Sequence, residues 1–256
     1  MAGPGLPKHG RLSVEVILPV LNEERDLPRS VATLHRFLGQ HLENPWRITV
    51  ADNGSTDGTP RICQELAQQF DRVGSIRLEQ RGRGRALKRA FFETKSDIVA
   101  YMDVDLSTDL NDFPKLVQAL EEGNDIAVGS RLARGSRTKR GLKREIISRC
   151  YNILVWTMFQ TRIRDMKCGF KGIRREAAQR LVPVIQDTGW FFDTELLLVG
   201  EHRGLRVKEI PVAWVDDPDS RVKIFRTAWL DLKGLMRLRF GGMPQLVTPA
   251  SEATRK

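Results

Sequence analysis

Two carboxylates one residue apart, Asp103 and Asp105, close an apolar, β-prone run, Ile98-Val99-Ala100-Tyr101-Met102. On an extended chain, residues i and i+2 face the same side. Two like charges would then meet, and a divalent cation is the usual compensation. Ligands in open α/β sheets bind at the carboxyl ends of strands, so Asp103 and Asp105 form a candidate metal–phosphate site. For so short a pattern, two solvated carboxylates opening a loop is the plainer alternative.

Other polar clusters follow apolar runs in the same way. Asn22-Glu23-Glu24 comes directly after Val14–Val20, as a ligand position or as a helix cap with acids in the first turn. Asp52 ends the run from Trp46 and opens Asn53-Gly54-Ser55-Thr56-Asp57-Gly58-Thr59. Carboxylates there can accept hydrogen bonds from a base or ribose, and Asp57 can equally cap the next helix. Arg81-Gly82-Arg83-Gly84-Arg85 opens a helix and suits phosphate through backbone N–H groups and positive charge, or forms a solvated basic face. Leu87 stands where the dinucleotide fingerprint needs its third glycine, which disfavours NAD. Asp193 and Glu195 follow Trp190-Phe191-Phe192, as site acids or as first-turn capping residues.

These residues need a scaffold. Apolar runs at 14–20, 46–52, 75–78, 97–103 and 125–129 alternate with helical periodicity at 22–42, 60–70, 81–90 and 109–122. Strict alternation predicts an α/β fold with a mostly parallel sheet and helices on both faces. After Arg131 the rhythm changes. Residues 131–149 carry eight cations against Glu145, then an apolar segment runs from Ile146 to Phe159. It is too short to span a bilayer; a membrane interface and an ordinary core helix both fit it. Helices over 175–181 and 196–202 and a strand over Val207–Trp214 follow, Pro211 marking that strand as an edge. Ile224–Phe240 reads as a basic amphipathic helix with Phe225, Trp229, Leu232, Leu235, Met236 and Phe240 on its apolar face. The expected division is a tail over 1–12, a catalytic unit over 13–218, a membrane-associated segment over 219–243 and a tail over 244–256.

With 256 residues, 41% of them hydrophobic, the chain can bury one sizeable core. Its net charge of +10 predicts an anionic partner, either a nucleotide or an anionic membrane surface. There is no nucleic-acid-binding signature, so no nucleic acid partner is expected. Cys63, Cys150 and Cys168 have no zinc or CxxC spacing and read as small hydrophobes of a reducing compartment. No signal-peptide h-region and no run of about 18 apolar residues occurs. The expected location is cytoplasmic, peripheral on the cytoplasmic face of a membrane.

In order along Val14 to Arg239 stand Leu18-Pro19-Val20-Leu21-Asn22-Glu23, Asp52 through Thr59, Arg81 through Gly84, Asp103-Val104-Asp105-Leu106-Ser107, Gly129-Ser130-Arg131 and Cys168-Gly169-Phe170-Lys171. This ordered set resembles the family 2 glycosyltransferases of the GT-A fold, and more narrowly the polyprenyl-phosphate (dolichyl-phosphate) sugar synthases. Arg164 through Lys171 with Trp190 through Leu197 looks most like the dolichyl-phosphate glucosyltransferase branch, whose frame the mannose branch shares.

The resemblance implies a single GT-A, Rossmann-like domain plus a C-terminal amphipathic helix. It implies transfer from UDP-glucose or GDP-mannose to a polyprenyl phosphate, with a saccharide or other soluble acceptor as the alternative. The donor would meet Pro19, Asn22, Glu23, Asp52, Asp57, Arg81, Gly82, Gly84, Asp103 and Val104. Asp103 and Asp105 would hold Mg²⁺ or Mn²⁺, and Arg131, Arg221 and Lys223 would meet the acceptor phosphate. Asp105, Arg131 and Asp193 are the candidate catalytic residues, Asp193 being the base that a saccharide acceptor would need. A phosphate acceptor needs none, because its second pKa is about 6. Relatives commonly carry C-terminal transmembrane helices that this chain lacks, so a small membrane-protein anchor is a possible partner. Arg83 and Arg85 stand where small residues or Lys are common, which implies an altered phosphate contact.

Overall fold

The computed structural model describes residues 11–139, 141–216 and 224–248. Its centre is a seven-stranded sheet built from β1 (Val14–Val20), β2 (Trp46–Asp52), β3 (Val73–Arg77), β4 (Ile98–Tyr101), β5 (Ile126–Ser130), β7 (Lys171–Arg174) and β8 (Val207–Pro211). The order is β3-β2-β1-β4-β7-β5-β8. All neighbours run parallel except β7, which lies antiparallel between β4 and β5. Helices α1 (Leu27–His41), α2 (Thr59–Gln69), α3 (Arg83–Glu93) and α4 (Phe113–Glu121) connect the first strands. A two-stranded ribbon joins β6 (Arg137–Lys139) to β9 (Ala213–Val215), and α5 (Leu142–Phe159), α6 (Arg175–Leu181), α7 (Phe192–His202) and α8 (Ile224–Gly241) complete the chain.

Alternation along β1 divides the core. Val14, Val16, Leu18 and Val20 face one layer with Leu34, Leu38, Leu116 and Leu120 of α1 and α4. Ile17 faces the other, with Leu87 of α3, Leu181 of α6, Leu197 of α7 and Leu235 of α8. Period-two strands buried on both faces are what a mostly parallel sheet requires. The register aligns Val20 with Asp52 and Ile17 with Tyr101. The turns after β1, β2 and β4 therefore share one edge of the sheet.

Several expectations change. β4 stops at Tyr101, so Asp103 and Asp105 are not on an extended strand. They lie in a turn that Leu106 closes at φ 52°, its N–H bonding to the Asp103 carbonyl at 3.2 Å. The first helix begins at Leu27, because Asn22, Glu23 and Glu24 are drawn into contacts with the neighbouring loop. Asp193 and Glu195 belong to the first turn of α7, not to a strand end. The run 207–214 is two strands: β8 is the sheet edge that Pro211 predicts, and after Val212 the chain turns to pair with β6.

No helix among the described residues is long and apolar enough to cross a membrane. The expected apolar face of α8 does not turn inward as one unit. Asp231, Gly234, Leu235 and Leu238 are buried, whereas Trp229, Leu232, Met236 and Phe240 are exposed. Inward burial of α8 rests partly on ion pairs, Lys167 with Asp231 at 2.8 Å and Arg237 with Glu195 at 2.8 Å. Arg140, Arg221, Lys223 and most of the two expected tails lie outside the described residues.

Candidate active site

The turns after β1 and β2 are stitched together. Asn22, at φ 57°, donates its N–H to Ser55 Oγ at 2.9 Å and accepts at Oδ1 from the Thr56 N–H at 2.8 Å. The Glu23 N–H reaches Thr59 Oγ1 at 2.9 Å, and the Gly58 N–H reaches the Glu24 carboxylate at 2.7 Å. Asp57 accepts from the Thr59 N–H at 3.0 Å; burial opposes its ionisation, but hydrogen bonds from Thr59 and Glu24 hold its pKa below the usual value. Asp57 thus ties the loop to the start of α2, whose N-cap position is Gly58. Pro19 lies beside these turns near the carboxyl end of β1, aligned with Ala51.

Asp52 is buried at the end of β2. Its Oδ1 accepts from the Ser55 N–H at 3.0 Å, while Oδ2 has no hydrogen-bond donor and Arg77 stands 3.9 Å away. A buried carboxylate oxygen without a donor is uncommon in folded proteins. An open cleft of about 550 Å³ lies beside it, between Ser55, Asp57, Arg61 and Arg77.

The glycine-rich loop departs from the phosphate cradle expected of it. The N–H groups of Gly84 and Arg85, at the start of α3, bond to the carbonyls of Gly189 and Thr188 at 3.2 and 3.1 Å. The Gly82 N–H bonds to Asn53 Oδ1. Such close approach needs glycine: a Cβ on Gly82 would stand 2.5 Å from the Thr188 carbonyl oxygen, and one on Gly84 2.7 Å from Phe192 Cβ. The backbone therefore seats the loop against 187–192, and charge reaches the site through side chains. Arg81 is exposed, whereas Arg83 turns inward and is buried.

Arg83 leads to a buried charge network. Its Nη2 donates to Asp103 Oδ1 at 2.9 Å and its Nη1 donates to Asp193 Oδ2. The guanidinium lies 5.5 and 5.4 Å from the ring centroids of Tyr101 and Trp190. Asp193 Oδ1 accepts from Tyr101 Oη at 2.7 Å and from Lys171 Nζ at 2.8 Å. Tyr101 and Lys171 are register partners across β4 and β7, so one strand pairing delivers both donors. Burial opposes ionisation of Asp193, but Arg83 and Lys171 outweigh it and hold its carboxyl well below the usual carboxylate range. Burial and the Asp193 charge push the Tyr101 phenol well above its ordinary value, keeping it a neutral donor. With both oxygens so engaged, Asp193 is a poor proton acceptor and a good anchor.

Asp103, with its side chain 47% exposed, sits between this network and solvent. Its Oδ2 packs against Gly169, where a Cβ would stand only 2.0 Å away. Val104 is half-buried and Asp105 exposed, with the Asp105 carboxylate accepting from the Ser107 N–H at 3.0 Å. No cluster of three His, Cys, Asp or Glu able to hold a metal occurs among the described residues. Two accessible carboxylates on one turn nevertheless match the protein's share of a cation bound chiefly to substrate phosphates, where one or two carboxylates suffice.

Arg131 is buried and held by Asp165, its Nε and Nη2 donating at 2.7 and 2.9 Å and its backbone N–H at 3.0 Å. Its guanidinium stacks 5.2 Å from the Trp214 ring centroid. Two donor positions expected to meet an acceptor phosphate thus hold a buried carboxylate instead. Tyr101, Lys171, Trp190 and Asp165 are given no site role by the sequence reading, although the last three stand in motifs that carry the resemblance. The signals available for them were a lone Tyr and a lone Lys at strand ends, and an aromatic just before the Asp193 turn.

Residues 15–182 match the family profile described as glycosyl transferase family 2. The chain belongs to this family. It is 38% identical over 218 residues to the glycosyltransferase AglD of Haloferax volcanii, covering 84% of this chain but 35% of that one. Dolichyl-phosphate beta-glucosyltransferases of Homo sapiens and Saccharomyces cerevisiae are 30% and 26% identical, with 88% and 86% of this chain covering 74% and 73% of theirs. The chain thus spans about a third of the AglD relative and three-quarters of the other two. Among solved structures, glucosyl-3-phosphoglycerate synthase of Mycobacterium tuberculosis in complex with UDP superposes with a TM-score of 0.68 at 20% identity, over 90% of this chain and 81% of that one. At that identity the match speaks for the fold, and it is the GT-A fold that the resemblance implied. The family profile ends at Val182, just after α6, so Asp193, α7 and α8 lie beyond it. Asp193 and Trp190 of the buried network are therefore outside the matched segment, whereas Arg83, Tyr101, Asp103 and Lys171 are within it.

Proposed function

We propose that this family 2 glycosyltransferase moves a hexose from a nucleoside-diphosphate sugar to a polyprenyl phosphate of the dolichyl class. The observation that carries the acceptor class is the state of Asp193. A sugar hydroxyl acceptor needs a base near its proton. The buried acid in the network is neutralised by two cations and a phenol. A phosphate monoester arrives already ionised at neutral pH and needs no base. The relatives named as dolichyl-phosphate beta-glucosyltransferases support the same reading and favour glucose over mannose.

In this mechanism Asp52, with its unpaired buried Oδ2, receives a donor group of the nucleoside in the cleft beside it. Asp103 and Asp105 would hold the Mg²⁺ or Mn²⁺, which when bound would supply Lewis-acid stabilisation to the leaving diphosphate. A solved neighbour, glucosyl-3-phosphoglycerate synthase, was crystallised with Mn²⁺ and UDP-glucose, which supports that donor set. Arg83 offers a guanidinium, oriented by Asp193, toward the same diphosphate. The acceptor phosphate oxygen attacks the anomeric carbon, the bond from that carbon to the diphosphate oxygen breaks, and a single displacement inverts the centre. Arg131, held by Asp165, stiffens the floor of the acceptor side, and Arg221 and Lys223 are the cations proposed to meet the acceptor phosphate.

The acceptor is a lipid, and the outer surface of α5 and α8 suits its environment. Ile146, Ile153 and Trp156 on α5 and Trp229, Met236 and Phe240 on α8 are exposed, and the two helices touch. The basic stretch leading into α5 and the overall charge of +10 suit an anionic bilayer. Polyprenyl phosphate, metal and labelled UDP-glucose, GDP-mannose or UDP-N-acetyl sugars, incubated separately, test the function. Label from one donor should enter a lipid cleaved by mild acid, and Asp105→Ala should abolish it. Transfer to sugar acceptors but not to the lipid would refute the proposal.

A further inference from the structure

The buried network balances its own charge before any substrate arrives. Arg83 and Lys171 face Asp193 and Asp103, two cations against two anions, and Arg83 is the residue common to both carboxylates. Asp193 keeps Tyr101 and Lys171 as partners on its other oxygen, so it does not depend on Arg83 alone. Asp103 is different: Arg83 is its cationic partner in this arrangement, and its second oxygen is turned onto Gly169. A cation approaching Asp103 from solvent meets a carboxylate already occupied by a guanidinium. Two positive groups cannot share one carboxylate without mutual repulsion.

We propose that Arg83 is an exchangeable counter-ion of Asp103. It closes the metal carboxylate against Asp193 when the donor is absent, and yields it to the divalent cation when the nucleoside diphosphate brings the cation in. The inference rests on the function proposed above and deepens it, because it fixes the order in which the metal site is filled. Asp193 retains Nη1 throughout, so the released Nη2 stays at the site mouth, held between Tyr101 and Trp190. The diphosphate supplies the negative charge that Asp103 withdraws from Arg83. A bare divalent cation supplies none, so it must displace Arg83 without compensation. Metal and nucleotide are then taken up together, and the site binds metal alone only weakly.

Direct Mn²⁺ titration followed by electron paramagnetic resonance tests this without any transfer assay. The proteins are the full chain as wild type, R83M, R83K, D103N and R83M/D103N, with Mn²⁺ alone and then with UDP present. R83M keeps an unbranched apolar stem between Tyr101 and Trp190, and R83K keeps the charge with a poorer fit. R83M should bind Mn²⁺ alone about five- to thirtyfold more tightly than wild type, the size of one charge-assisted hydrogen bond discounted for a half-exposed partner. R83K should fall between them, and the gain should vanish in the D103N background. With UDP present the order should reverse, R83M holding Mn²⁺–UDP less tightly than wild type. R83M binding Mn²⁺ alone no better than wild type, or not at all, overturns the proposal, as does a gain that survives D103N. If R83M fails to fold, R83K against wild type decides by the same comparison. Loss of lipid transfer by the wild type would instead count against the proposed function, and it leaves the Mn²⁺ comparison readable.

Discussion

Gly169→Ala separates the placement of Asp103 from general stability. The added methyl would stand 2.0 Å from Asp103 Oδ2, 2.5 Å from its Cγ and 2.7 Å from its Oδ1. All three distances fall on one carboxylate, so the carboxylate must rotate away and its 2.9 Å bond from Arg83 breaks. A hydrogen bond between charged groups contributes about 1.5–3 kcal/mol when buried, and a half-exposed Asp103 reduces that to about 1–2 kcal/mol. The expected loss of Tm is about 2–8 °C for a domain of this size. If the same energy is lost from the donor complex, kcat/KM falls about five- to thirtyfold. Gly172→Ala is the control. Its Cβ would stand 2.6 Å from Leu116 Cδ2 and 2.8 Å from Leu120 Cδ1, on the sheet face away from the site. Overpacking there costs about 1–3 kcal/mol, so its Tm should fall at least as far, with kcat/KM unchanged below the transition. Calorimetry and lipid transfer on both variants provide the comparison. Unchanged kcat/KM in Gly169→Ala, or equal losses in both variants, would refute the role given to Asp103.

Asp193→Asn removes the anion from two buried cations and should cost about 3–5 kcal/mol, read as a lowered Tm. Because the folded carboxyl lies below its unfolded value, its stabilisation is present above about pH 4 and lost as pH falls further, so Asp193→Asn should flatten the acid limb of stability against pH below that point. The acid limb of the transfer rate should instead lie near pH 6, set by the acceptor phosphate, and should move when a phosphonate of different pKa replaces it. Cys63 and Cys168 are buried, with burial pushing their thiols to about 12 and about 11, whereas Cys150 is exposed. A thiol reagent at neutral pH should therefore label Cys150 alone until the protein unfolds. Anionic liposomes should retain the protein at low salt and release it as salt rises; Trp156→Ser with Trp229→Ser should weaken retention, and equal retention would remove α5 and α8 from the interface.

Much of the fold is legible because its strands are buried on both faces and read as apolar runs broken by turn residues. β1, β2 and β5 fall within a residue or so of the expected ranges. β7 and β9 are four and three residues long, and their partners lie far away in sequence. Their pairing is decided by tertiary contact, which no local period reports. The site divides in the same way. Asp52, Asp103 and Asp105 stand out as candidates because an acid at the end of an apolar run is conspicuous. Tyr101 and Lys171 do not, because their meaning comes from β4 and β7 lying antiparallel in one register. The ion pair that engages Arg131 is illegible for the same reason: Asp165, which holds it, is 34 residues away.

The location of the excess charge bears on the acceptor. The protein carries +10 overall, yet the buried network at its centre is balanced, two cations against Asp103 and Asp193. Arg131, the cation expected at the acceptor side, is balanced as well. The surplus therefore does not reside in the network that positions the donor, and a nucleotide sugar alone does not account for it. Much of it lies, in sequence, in the stretch 134–149 leading into α5 and along α8, the two helices that carry exposed Trp156, Trp229 and Phe240. Charge beside exposed aromatic side chains is what an anionic bilayer attracts and what a soluble acceptor has no use for. A balanced centre with a charge surplus elsewhere in the chain is what the proposed function expects, and the liposome measurement above decides whether that surplus meets a membrane.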